Sequence, residues 1–123
     1  MQPTLHGYHV HIYYDTTTEQ QATSLHDRMV AEFKAKPSRP PYVGIAGPHP
    51  VGQRAVIFST QTFTAGVIPW LMFNRQGLSI LIHPLTDDEY EAHTTHAVWF
   101  GEPIALLTDK LSHAPPSIPE LMP

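Results

Sequence analysis

The segment His6-Gly7-Tyr8-His9-Val10-His11-Ile12-Tyr13-Tyr14 constrains the fold more than any other part of the chain. It is rich in β-branched and aromatic residues and alternates in character, which predicts a strand that ends at the turn-forming Asp15. Successive side chains on a strand point to opposite faces, so His9, His11 and Tyr13 share one face while Val10, Ile12 and Tyr14 share the other. Such a strand needs a sheet with two unlike sides. The apolar set should face helices. The histidines should project from the side those helices leave uncovered, where solvent, the tail or a partner subunit completes a pocket.

The rest of the chain supplies the other elements. Thr16, Thr17 and Thr18 can each cap a helix, with Glu19, Gln20 and Gln21 in capping-box register. Ala22, Leu25, Met29, Val30 and Phe33 recur at helical spacing, and Pro37 is expected to stop the helix. Tyr42–Ala46 and Arg54–Thr60 read as two strands joined by the turn-rich Gly47-Pro48-His49-Pro50 loop. A second helix, capped by Thr62 or Thr64, carries Val67, Ile68, Trp70, Leu71 and Phe73, with Pro69 in or near its first turn and Gly77 closing it. Leu78–His83 is a strand ending at Pro84, and Asp87-Asp88-Glu89 opens a short acidic helix toward His96.

The resulting β-α-β-β-α-β order predicts an α+β ferredoxin-like domain. Two helices cover one face of a four-stranded antiparallel sheet whose fourth strand lies beside the first. The short helix and a proline-rich arm are additions. With 123 residues, 41% hydrophobic, a single domain is expected over 1–123, its core at about 6–101 and the arm at 102–123.

Composition narrows the chemistry. The chain has no cysteine, so a metal must bind through nitrogen and oxygen, and no disulfide, thiolate zinc site or iron–sulfur cluster is available. Seven basic residues are scattered and the formal net charge is −4, which argues against nucleic acid as a partner. No signal-like start and no apolar run of membrane-spanning length is present, so no membrane association and a cytoplasmic location are expected. Nine histidines carry most of the functional information.

If Ile80 and Ile82 are core, His83 points to the opposite face, beside His9 and His11, because antiparallel pairing brings the end of the last strand to the start of the first. Neutral imidazoles suit iron, zinc, copper or nickel. An H-x-H pair can equally be polar strand surface. His93 and His96 would lie on nearly the same helix face, with Glu89 a turn earlier, as a metal or proton-transfer cluster or as plain helix surface. His49 is held between two prolines. Arg75 suits a substrate carboxylate, or the helix dipole, and Trp70, Phe73 and Trp99 suit an aromatic pocket, or the core.

Four segments, in order, resemble the DOPA 4,5-dioxygenase family: Gly7–Asp15, Gly47–Pro50, Trp70–Arg75 with Gly77–Pro84, and His93–Gly101. The resemblance implies a ferredoxin-like fold, non-haem iron(II), and opening of a catechol such as DOPA by dioxygen next to its two hydroxyls. It implies that His9, His11, His49, His83, His93 and His96 include the functional set. On that basis His9, His11, His83 and His93 are the metal candidates, with Glu89 or Glu91 as a further ligand. His49, His96 and His11 are the acid–base candidates, and Arg75 and Tyr13 the substrate contacts. Iron(II) is the expected metal, with zinc another divalent candidate. Ala92 stands where the family pattern suggests an acid before the histidine, which weakens the helical pair as ligands. The competing readings are a non-enzymatic homodimer that binds a metal or small aromatic, and cofactor-independent catalysis by the same histidines.

Overall fold

The structure is a computed structural model and describes residues 2–38 and 46–116. Strand β1 (Gly7–Tyr13) is followed by helix α1 (Glu19–Phe33), β2 (Lys36–Pro37) and β3 (Gln53–Phe58). Helices α2 (Thr60–Thr64) and α3 (Val67–Asn74), then β4 (Ile80–Leu85), α4 (Glu89–His93), β5 (Val98–Phe100) and a 3-10 turn (Thr108–Lys110) complete the order. The sheet is antiparallel and runs β2-β3-β1-β4-β5. Its last predicted strand lies beside the first, as expected.

The sheet has five strands rather than four. Val98-Trp99-Phe100 pairs with Ile80–Ile82 at the edge beyond β4. β4 also runs through Pro84 instead of stopping there. β5 reaches only Ile82, so β4 is an edge at that point, where a residue without an N–H is tolerated. The partner of β3 on its outer side is Lys36–Pro37, and the strand expected at Tyr42–Ala46 lies outside the described residues except for Ala46, which forms an isolated bridge with His49.

Local chemistry explains the helix ends. Thr18 is the N-cap of α1, yet no side-chain cap forms there. Instead the Asp15 carboxylate accepts from the Thr17 and Thr18 backbone N–H groups at 2.8 and 3.1 Å, so an Asx turn replaces the expected capping box. α1 ends at Lys34, in the left-handed region at φ 51°, before Pro37 is reached. The expected second helix is two. Gly66, at φ 140°, breaks it, and the Ser59 hydroxyl caps the first piece by accepting from Thr62 N–H at 3.1 Å. Pro69 falls in the first turn of α3, where its missing N–H leaves no gap.

The core lies between the sheet and α1 to α3. Val10 and Ile12 of β1, Val56 and Phe58 of β3, and Ile80 and Ile82 of β4 pack against Ala22, Leu25, Met29, Phe63, Val67 and Leu71. The other face is not left open. α4 packs on β4, and the segment after the last strand returns over it: Leu107 N–H donates to Pro48 O at 2.8 Å, while Tyr90 and Glu89 N–H donate to Ser112 and Ala114 carbonyls. The tail, one of the groups expected to complete a pocket there, thus packs over part of this face. Among the described residues, no helix is long and apolar enough to cross a membrane.

Candidate metal centre and cavity

Strand register brings the histidines together. His9 and His83 are direct partners across β1 and β4, and His11 is two residues along on the same face. Their rings lie 4.1 Å (His9–His11), 5.2 Å (His9–His83) and 5.1 Å (His11–His83) apart. α4 adds His93, 3.8 Å from His83 between ring centroids, and the Gly47–Pro50 loop adds His49, 4.2 Å from His11. Among the described residues, two sets bring their ligand atoms within 4.8 Å of one another: His9, His11 and His83, and His11, His49 and His93.

Burial keeps these imidazoles neutral. His9, His11 and His83 are held well below the ordinary histidine range by desolvation, reinforced by neighbouring rings of the cluster. Burial, with His93 and His83 nearby, lowers His49 to about 3, and burial lowers His93. Neutral rings offer lone pairs.

Hydrogen bonds decide which nitrogen offers them. His83 Nδ1–H donates to Pro84 O at 3.0 Å and His93 Nδ1–H to Glu89 O at 2.8 Å, since a carbonyl can only accept. His11 Nδ1–H donates to Gln53 Oε1 at 2.6 Å. Each ring therefore keeps its lone pair on Nε2. The Nε2 atoms of His11 and His83 are 3.1 Å apart with no proton left to share, an arrangement that a cation between them relieves. His9 engages the Ser38 hydroxyl through Nε2 at 2.9 Å; when His9 Nε2–H donates to that oxygen, Nδ1 keeps its lone pair.

His49 differs. The buried Tyr13 hydroxyl lies 2.7 Å from His49 Nδ1, and burial raises the phenol pKa, so its proton stays on. Donation from the phenol to Nδ1 satisfies that buried proton; the reverse would orphan it. His49 then carries its own proton on Nε2. In the second set His49 has both nitrogens engaged, one by the phenol and one by its own proton, so the fit to a metal favours His9, His11 and His83.

A cavity of about 550 Å³ opens beside the cluster, lined among others by His9, His11, His49, Gln53, Glu89 and His93. Glu89 Oε1 is buried without a hydrogen-bond partner, and burial pushes the carboxyl pKa up.

Other predicted site residues lie elsewhere. α4 ends at His93, so His96 shares no helix face with it; His96 is exposed and does not line the cavity. The Arg75 guanidinium donates to Leu78 O at 3.1 Å and packs near Gly101, away from the lining. Tyr13 stacks on Trp99 and acts through His49 rather than lining the cavity. Trp70 packs edge-on against Phe33, and Phe73 is 86% exposed. Sequence reasoning missed Gln53 and Ser38, the partners of His11 and His9. Gln53 was detectable only as a polar residue at the start of a strong strand.

The chain was compared with known proteins. It is 36% identical over 102 residues to the DOPA 4,5-dioxygenase of Amanita muscaria, covering 76% of this chain and 44% of that protein. It is also 36% identical over 111 residues to an uncharacterized protein of Botryotinia fuckeliana, covering 81% of this chain and 60% of that one. The chain thus spans roughly half the length of the curated relatives it matches. A solved structure of a candidate dioxygenase from Nostoc punctiforme superimposes with a TM-score of 0.81 at 35% identity, covering 86% of this chain and 90% of that one. Residues 8–110 match the Dopa 4,5-dioxygenase family, and with this fold and this cluster the chain belongs to it.

Proposed function

We propose that the protein is a ring-cleaving dioxygenase acting on a catechol, with a divalent metal, iron(II), held by His9, His11 and His83. The observation that carries the reading is the facing pair of His11 and His83 Nε2 atoms at 3.1 Å, each with its Nδ1 committed as a donor. When bound, iron(II) with a few imidazole ligands supplies open coordination positions for a diol and for dioxygen.

The protein's own groups do the rest. His93 offers an Nε2 lone pair that accepts a proton from a substrate hydroxyl and, once protonated, can return it, while His49 holds an Nε2–H that can donate a hydrogen bond to a developing oxyanion. Tyr13 keeps His49 in that tautomer, and Gln53 does the same for His11. The cavity size falls within the range of small-molecule sites, and its buried floor limits water around the reacting ring. In the overall reaction one ring carbon–carbon bond beside the diol breaks and both atoms of dioxygen enter the product, so no external reductant is consumed.

Anaerobic loading with iron(II), followed by oxygen uptake and visible spectra on adding catechols, tests this. The expected result is one metal per chain and a yellow semialdehyde product. Stoichiometric metal with no oxygen uptake from any catechol would leave a metal-binding module. Turnover that survives a strong chelator would point instead to cofactor-independent catalysis.

A further inference from the structure

The cavity has a floor and a rim of different chemistry. Its floor carries the buried His11, His49 and His93, whereas its rim includes the exposed Lys110, Ser112 and Pro115. Lys110 closes the 3-10 turn Thr108–Lys110, which is pinned on both sides. Leu107 N–H bonds Pro48 O at 2.8 Å before it, and Ser112 O accepts from Tyr90 N–H at 2.9 Å after it. The backbone of the turn is therefore fixed relative to the histidines.

The Lys110 ammonium has no ion pair or side-chain hydrogen bond with any described residue. Apart from histidines, the charged residues lining the cavity among the described residues are Lys110 and Glu89. No ion pair joins Glu89 to Lys110, and Glu89 Oε1 is buried 3.8 Å from His93 Nδ1. Asp109 is adjacent in the turn but does not line the cavity. A ring whose diol meets the histidine floor turns its substituent toward this rim, where Lys110 is the one cation among the described residues and has no ion pair with any of them.

We infer, resting on the dioxygenase reading, that Lys110 is a specificity-determining residue that selects aromatic diols bearing a short carboxylate arm. The ammonium is a compact point charge on a flexible stem, suited to a carboxylate whose distance from the ring varies. Arg75, the cation that sequence singled out for this task, is occupied elsewhere.

The test compares 3,4-dihydroxyphenylacetate, dopamine and unsubstituted catechol on the iron-loaded full chain and on Lys110→Glu and Lys110→Met. Values for each protein are normalised to its own value for catechol. The acid should be preferred over the amine by about tenfold in kcat/KM, the scale of one charge-assisted hydrogen bond. The preference should sit in KM, shrink with added salt, and reverse in Lys110→Glu. Anaerobic calorimetry of 3,4-dihydroxyphenylacetate provides a readout without turnover. Lys110-dependent binding with no oxygen uptake from any catechol would sink the dioxygenase reading and keep the anion site. Turnover whose acid-to-amine ratio is unmoved by Lys110→Glu would overturn the inference and keep the dioxygenase. Failure of the acid to bind at all would end the proposed role of Lys110.

Discussion

The two faces of β1 are built from residues one step apart, yet they are held by different physics. On one face Val10 and Ile12 are fully buried among aliphatic and aromatic side chains of the helices, where what matters is volume and the removal of apolar surface from water. On the other, His9, His11 and Tyr13 sit in a hydrogen-bonded set with Ser38, Gln53, His49 and His83, where what matters is which atom carries each proton. A face packed by volume tolerates exchange of one hydrocarbon for another of similar size. A face ordered by protons does not.

The sharpest break between the faces is His83→Ala. Metal affinity should fall by at least about 100-fold, more than loss of a supporting partner typically costs, and catechol turnover should vanish, with far-UV circular dichroism unchanged. Metal titration of folded protein checks this; an unfolded variant would mean that the cluster is structural. On the apolar face, Leu71→Ala should cost about 2–5 kcal/mol of stability through lost burial and the cavity left behind. Denaturant melts with and without metal should give the same loss, because Leu71 belongs to the core on the face of β1 opposite the histidines. A different loss in the two states would show the faces to be coupled.

Gln53→Ala is a finer probe, since it leaves every histidine in place and removes only the acceptor that fixes His11. Metal affinity should drop by about 10–100-fold and Gln53→Glu should restore most of it. If Gln53→Ala binds metal normally, the carboxamide is not setting the tautomer. The smallest effect belongs to Asp15, in the turn that leaves β1 and outside both faces. Hydrogen bonds from the Thr17 hydroxyl and N–H, and from Thr18, hold its carboxyl below the ordinary aspartate range. A lowered folded pKa means the contribution is present above the unfolded value of about 3.9 and is lost as pH falls through the folded value. The stability gap between wild type and Asp15→Asn should therefore close in acid, and an unchanged gap down to the acid transition would refute the assignment.

Much of this architecture is written in short-range pattern. The alternation of β1, the Ile80/Ile82 pair that turns His83 to the opposite face, and the helical spacing of Ala22, Leu25 and Met29 are local periodicities, and each places its residues as read. Elements of three residues or fewer escape such reading. β5 and the two-residue β2 have too little pattern of their own and exist because a neighbouring strand offers an edge. Gly66 split a helix whose apolar spacing looked continuous, because a glycine at φ 140° ends a helix whatever follows it.

The histidine set divides in the same way. By itself the sequence determined that His9 and His11 share a face and that His83 lies opposite Ile80 and Ile82, because a strand's period of two is a property of the backbone; the pairing of β1 with β4 put all three on one side. Only the tertiary structure decided that Gln53, Pro84 O and Glu89 O hold the Nδ1 protons of His11, His83 and His93, that Tyr13 serves His49, and that Lys110 stands at the cavity mouth. Two of those partners come from other elements, Gln53 at 42 residues from His11 and Tyr13 at 36 from His49, and their pairing depends on strand register and on where the loop and returning tail are pinned.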